Sequence, residues 1–210
     1  MLLLRLVHQQ FTDELWFCVR GKLLKFTFND FVCITGQLST GERPELSTDQ
    51  KDCIAKKFFH GRTNITFQQL KNRMEDYKAP RRGDPLQGVK LASLYYTLCV
   101  LLSRDKRTKI NPDFVKWVDD FQSFKKYPWA MESYNLTVTH MKSLMVGQPK
   151  CFNENKAGDP LYEKVKYTMY GFPHVLHVWP YESVPNFAKL ATTKVAEEPC
   201  SMLNWKAEGY

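Results

Sequence analysis

Residues 86–103 constrain the fold more than any other stretch of this chain. Leu86, Val89, Leu91, Leu94, Tyr95, Leu98, Val100, Leu101 and Leu102 surround nearly the whole circumference of a helix. Such a helix has no face to give to water, so in a soluble protein it is a central rod of the core. Asp84-Pro85 opens it, an N-cap residue followed by a proline whose fixed φ suits the first helical turn. The remaining elements must pack around this rod, which predicts a mainly α fold.

The flanking sequence carries the punctuation of further helices. Residues 2–10 read as a short amphipathic helix. Leu15–Val19 and residues 23–28 are rich in β-formers and flank Arg20-Gly21-Lys22, which predicts a hairpin. Thr27 and Asp30 form a capping box for a helix from Asn29 to about Thr35, stopped by Gly36. Residues 37–47 are a polar loop, after which Ser47 or Thr48 caps a helix to about Phe59, with Lys56 and Lys57 in its last turn. Thr66 and Gln69 make a second capping box, for a helix to about Asp76. Asn111-Pro112 opens a helix to about Phe124, residues 131–146 form another, and Asp159-Pro160 starts one more. The expected fold is therefore a single compact multi-helix domain with a small N-terminal β-hairpin, spanning residues 1–185. Residues 186–210 read as a peripheral extension. A chain of 210 residues, 43% hydrophobic and 25% charged, is large enough to bury such a core without staples.

Cysteine and histidine usage points away from disulfides and metal. The six cysteines form no CxxC pair, and several lie in apolar runs such as LWFCV and YYTLCVLL, where a free thiol acts as a small hydrophobe. A reducing compartment fits that pattern. His174 and His177 are three apart, with no second ligand pair at zinc-site spacing. The first seven residues are too short for a signal h-region, and no run approaches a membrane span, so a soluble protein without a membrane partner is expected.

Catalysis finds no foothold in these residues. GxSxG, HExxH, GxxxxGK[ST] and GxGxxG are all absent. The adjacent carboxylates Asp119 and Asp120 would diverge by about 100° on a helix, so they read as surface or capping residues rather than a shared site. No enzymatic activity and no cofactor are expected.

The charge distribution is more specific. The net charge is +8, and residues 51–110 hold 14 Lys/Arg against 5 Asp/Glu, while the rest of the chain is nearly neutral. A concentrated basic segment suits double-stranded DNA. Within it, Arg81 and Arg82 precede the apolar helix, while Arg104, Lys106, Arg107 and Lys109 follow it. Eighteen helical residues rise about 27 Å, which would set the two clusters at opposite ends of a rod. Arg81 and Arg82 suit base contacts, because arginine pairs bidentately with guanine or enters narrow minor grooves. Lys56, Lys57, Lys71 and Lys78 suit phosphate contacts, and Arg62 and Arg73 fall in the same basic segment. For any one of these residues, simple solvation is the competing reading. The argument rests on the cluster.

Four stretches also resemble a known family. They are ELWFCVRGK with FTFNDFVCITG (residues 14–22 and 26–36), KLASLYYTL (90–98), WVDDFQSF with YPW (117–124 and 127–129), and YGFPHVLHVWPYESVP (170–185). In order and spacing they resemble the plant domain-of-unknown-function family 1985, over residues 2 to 185. The resemblance implies a place among proteins of Mutator-like transposons, often beside a SUMO-protease-like domain. It extends to the anti-silencing proteins of VANDAL elements, for which it implies nuclear DNA binding and loss of DNA methylation. The shared residues are mostly aromatic, leucine and glycine, so the resemblance names no DNA-contacting side chain. Two readings follow: a sequence-specific DNA-binding domain, or a non-catalytic module that docks a protease or silencing factor.

Overall fold

Arg20 and Gly21 both take positive φ, 50° and 77°, as a two-residue hairpin turn demands. They join β2 (Leu15–Val19) to β3 (Lys22–Phe26) in antiparallel register, with Leu15 opposite Phe26 and Val19 opposite Lys22. The computed structural model describes residues 6–7, 13–43, 53–77, 85–158, 168–184 and 192–207. These form a mainly helical chain with two small antiparallel sheets. It divides into two compact units, residues 1–37 with 130–210, and residues 38–129.

The first unit is built on that hairpin. Leu6–Val7, expected as part of a helix, is instead a strand, β1, paired with β2 through Leu6 opposite Phe17 and Val7 opposite Trp16. The apolar residues available there satisfy a sheet edge as readily as a helix, and the neighbouring strand decides. Phe17 and Phe26 are fully buried and meet the Trp179 ring at 5.2 and 5.5 Å. Trp179 lies on α8 (Val175–Ser183). The capping box on Thr27 starts α1 (Phe28–Thr35), and Gly36 ends it at φ 66°, both as the sequence predicts.

The expected helix at 131–146 runs longer, as α7 (Trp129–Gly158). Ala130, Ser133, Tyr134, Thr137, Val138 and Met141 form its buried stripe. The Tyr134 hydroxyl donates to the Asp13 carbonyl, and its ring packs on Phe26, Phe28 and Phe31. Burial, aided by the nearby carboxylates of Glu14, Asp13 and Asp30, pushes its phenol well above the ordinary range. Two short strands, Thr192–Lys194 and Trp205–Ala207, pair near the C-terminus, and the Cys200 thiol between them donates to the Ile34 carbonyl at 3.0 Å.

The second unit packs short helices around the predicted rod. They are α2 (Cys53–Phe59), α3 (Phe67–Glu75), α4 (Pro85–Tyr95), α5 (Pro112–Trp117) and α6 (Phe121–Lys126). The rod departs from expectation twice. After α4 it winds as a π-helix over Tyr96–Leu101, and it is not buried all round, since Leu86, Val89 and Tyr96 are 43–52% exposed. Leu91, Leu94, Leu98 and Leu101 form its buried side.

The helix expected to run from residue 111 to 124 breaks in two at Asp119 and Asp120. Asp120 caps α6, accepting from the Ser123 N–H at 3.2 Å. Asp119 turns inward, accepts the Ile54 N–H at 3.2 Å near the start of α2, and lies 3.9 Å from the Lys90 ammonium. Lys90 also donates to the Asp119 carbonyl, so α2, α4 and the α5–α6 corner are tied at one buried point. Several sequence signals lie outside the described residues: the caps at Ser47 or Thr48, the basic loop with Lys78, Arg81 and Arg82, the Asp84 cap and the start at Asp159-Pro160. Among the described residues no helix is long and apolar enough to cross a membrane.

Candidate nucleic-acid interface

Residues 38–129 hold 18 Lys and Arg against 11 Asp and Glu, so the second unit carries +7 of the chain's +8. Its local geometry brings part of that charge together. α2 ends where His60 and Gly61 both enter the left-handed region, at φ 54° and 79°, and the chain turns into α3. Arg73 on α3 reaches back, donating from Nε to the Phe58 carbonyl at 2.9 Å with its guanidinium 6.0 Å from the Phe58 ring. An open groove of about 260 Å³ lies between the end of α2 and the polar side of α3, lined by His60, Arg62, Gln69, Asn72, Arg73 and Asp76 among others.

The loop that follows the π-helix is laced onto the start of α3. Asp105 shapes it by accepting the Arg107 N–H at 2.8 Å. That bond, with the Arg107 guanidinium beside it, holds the Asp105 carboxyl below its usual range. The loop carbonyls of Thr108 and Lys106 then accept the N–H groups of Phe67 and Gln68, at 3.2 and 2.9 Å, and Ile110 donates to the Ile65 carbonyl at 2.8 Å. The Thr66–Gln69 capping box satisfies the N–H groups of Thr66 and Gln69. All four amides that a helix N-terminus ordinarily leaves open are therefore taken. An anion arriving here would be met by side chains, not by a backbone cradle.

Those side chains are cationic. Arg104, Lys106, Arg107 and Lys109 are all exposed at this end of α3. The helix dipole favours cations at a C-terminus and disfavours them here, so the cluster adds positive potential to an already positive end. Among the described residues, Arg107 alone of these four has a short ion-pair partner, Asp105 at 3.4 Å.

The other sequence candidates fall into three groups. Lys56 and Lys57 are exposed on α2, and Arg62 is exposed beside the groove. Lys71 is exposed and pairs with Glu75 at 3.7 Å, while half-buried Arg73 clips α3 to the end of α2, which is a structural task. Lys78, Arg81 and Arg82 lie outside the described residues, so of the two clusters expected at opposite ends of the rod the structure places one. Sequence reasoning passed over Gln68 and Asn72, whose side chains bond to each other at 2.6 Å on the same helix. The Thr66–Gln69 capping box fixes where α3 begins, and with it the face those two residues share.

Residues 3–140 match the family described as a domain of unknown function, DUF1985. The chain belongs to that family. The DUF1985 match takes in the hairpin, the second unit and the first turns of α7, and does not reach the 170–185 segment expected to belong to it. No curated protein and no solved structure matched the chain. Among the described residues of this DUF1985 chain no three His, Cys, Asp or Glu side chains gather as a metal site would require.

Proposed function

We propose that the second unit is a double-stranded DNA-binding module acting in the nucleus without catalysis, and that the chain serves a transposon by opposing its silencing. The anti-silencing role and the nuclear setting rest on the resemblance to Mutator-like and VANDAL proteins. The DNA-binding reading rests on one observation: the 104–109 loop is pinned by backbone bonds to the N-terminal end of α3 with its cationic side chains exposed. Two positive fields coincide there, offset in part by Asp105 beside Arg107, and the surplus suits a polyanion.

Salt dependence tests this directly. Each phosphate neutralised contributes about 0.9 to the slope of log affinity against log salt. Replacing Arg104, Lys106, Arg107 and Lys109 with alanine should lower that slope by about 3, since Arg107 shares its charge with Asp105. Affinity for a duplex should fall with little change in Tm, because the loop is held by backbone groups. An unchanged slope in the four-alanine variant would refute the reading. The alternative, a module docking a protease or silencing factor, is favoured by a different feature, the exposed Leu86, Val89 and Tyr96 on one helical segment. Binding that is indifferent to salt but lost in Val89→Asp would support it instead.

A further inference from the structure

We infer that α3 enters the major groove of B-form DNA by its N-terminal half and reads adenine through the Gln68–Asn72 amide pair. The inference rests on the DNA-binding reading above and gives it a reading head.

α3 has two sharply different sides. Phe67 and Leu70 are buried, while Gln69, Lys71, Asn72, Glu75 and Asp76 are exposed and Gln68 is half-buried. The outward side is polar throughout, so it offers nothing to an apolar partner. The Gln68 and Asn72 side chains meet at (i, i+4) spacing, Nε2 to Oδ1 at 2.6 Å. Whichever way the two amides are turned, their mutual bond leaves one carbonyl and one NH2 group of the pair unused. Adenine presents the complement in the major groove, an N6 donor beside an N7 acceptor. Gln69 is not a reader in this scheme, because its carbonyl holds the Thr66 N–H.

Charge fixes the orientation. The cationic loop lies at the N-terminal end of α3, whereas Glu75 and Asp76 lie at the C-terminal end. A phosphate surface attracts the first, while Lys71 and Arg73 leave the second close to neutral, so the helix tips in with its N-terminal end foremost, as recognition helices do. A helix of about 10–12 Å diameter fits a major groove about 12 Å wide and not a minor groove of about 6 Å. The deep, narrow major groove of double-stranded RNA excludes it too.

The test is selection from a random duplex pool with the full chain, repeated with Gln68→Ala/Asn72→Ala. Both residues sit on a helix surface and alanine favours helix, so the variant folds. The wild type should enrich a motif containing adenine. In the double variant the preference at that position should fall by roughly five- to a hundredfold, while affinity for an unrelated duplex stays within about twofold. Asn72→Asp should move the same position toward cytosine, whose N4 group donates. A motif identical in wild type and double variant overturns the inference while leaving DNA binding intact, and so does a wild type that binds without preference. Tighter binding to duplex RNA than to DNA also overturns it. Failure of the wild type to bind any duplex overturns the DNA-binding reading itself, and this inference with it.

Discussion

Removing the Asp119 carboxylate should cost more than any other single polar change in the second unit. Asp119 and Lys90 side chains are only 7% and 9% exposed, and the carboxylate both accepts the Ile54 N–H and faces the ammonium at 3.9 Å. In Asp119→Ala the buried Ile54 donor loses its acceptor, and Lys90 keeps its charge with the Asp119 backbone carbonyl and, less directly, the Asp120 carboxylate to offset it. Breaking a buried ion pair from one side typically costs about 3–5 kcal/mol. The surviving carbonyl contact places this case near the middle, at about 4 kcal/mol, or roughly 10 °C in Tm for a chain of this size. Lys90→Met/Asp119→Asn should be far milder, because asparagine still offers Ile54 an acceptor and methionine fills the lysine's volume without a charge. The assay is urea unfolding of the wild type, Asp119→Ala, and Lys90→Met, Asp119→Asn and their double variant, the last three closing a double-mutant cycle with the wild type. Additive single effects, or an Asp119→Ala cost below about 1 kcal/mol, would show that the tie does not hold α2, α4 and the α5–α6 corner together.

Two further outcomes are expected. Gly171 has φ 80° and abuts Thr137 so closely that a Cβ would meet the Thr137 hydroxyl, with its backbone N at 2.8 Å. Gly171→Ala should therefore lose about 3 kcal/mol, from the left-handed backbone and the overpacking together, and a calorimetric Tm within about 2 °C of wild type would contradict that. The Ser123 hydroxyl and neighbouring N–H groups hold the Asp120 carboxyl below its ordinary range. A depressed folded pKa stabilises fully above the unfolded value and is lost as pH falls through the folded one. The stability gap between wild type and Asp120→Ala, read by urea unfolding, should thus be steady near pH 7, at about 1 kcal/mol, and close below about pH 4. A gap that persists undiminished into that acid range would exclude the carboxylate as the cap of α6.

Local chemistry made much of this chain legible from its residues. Thr27 with Asp30, Thr66 with Gln69, and Gly21 and Gly36 act within a few residues of themselves, so the hairpin turn, both capping boxes and the end of α1 could be read directly. The basic segment was legible too, because charge is a property of composition. Contacts far apart in sequence decided the rest. Leu6–Val7 is a strand because β2 lies beside it, and the 111–124 helix breaks because Asp119 is drawn to Ile54 and Lys90, 65 and 29 residues away. The π winding after Tyr95 and the exposure of Leu86, Val89 and Tyr96 likewise follow from what packs against the rod, which periodicity does not report. The candidate interface shows the same division. Its cations are plain in the sequence, but only the backbone bonds from 104–110 to 65–68 set that loop against α3 and turn a run of charge into a surface beside the Gln68–Asn72 pair.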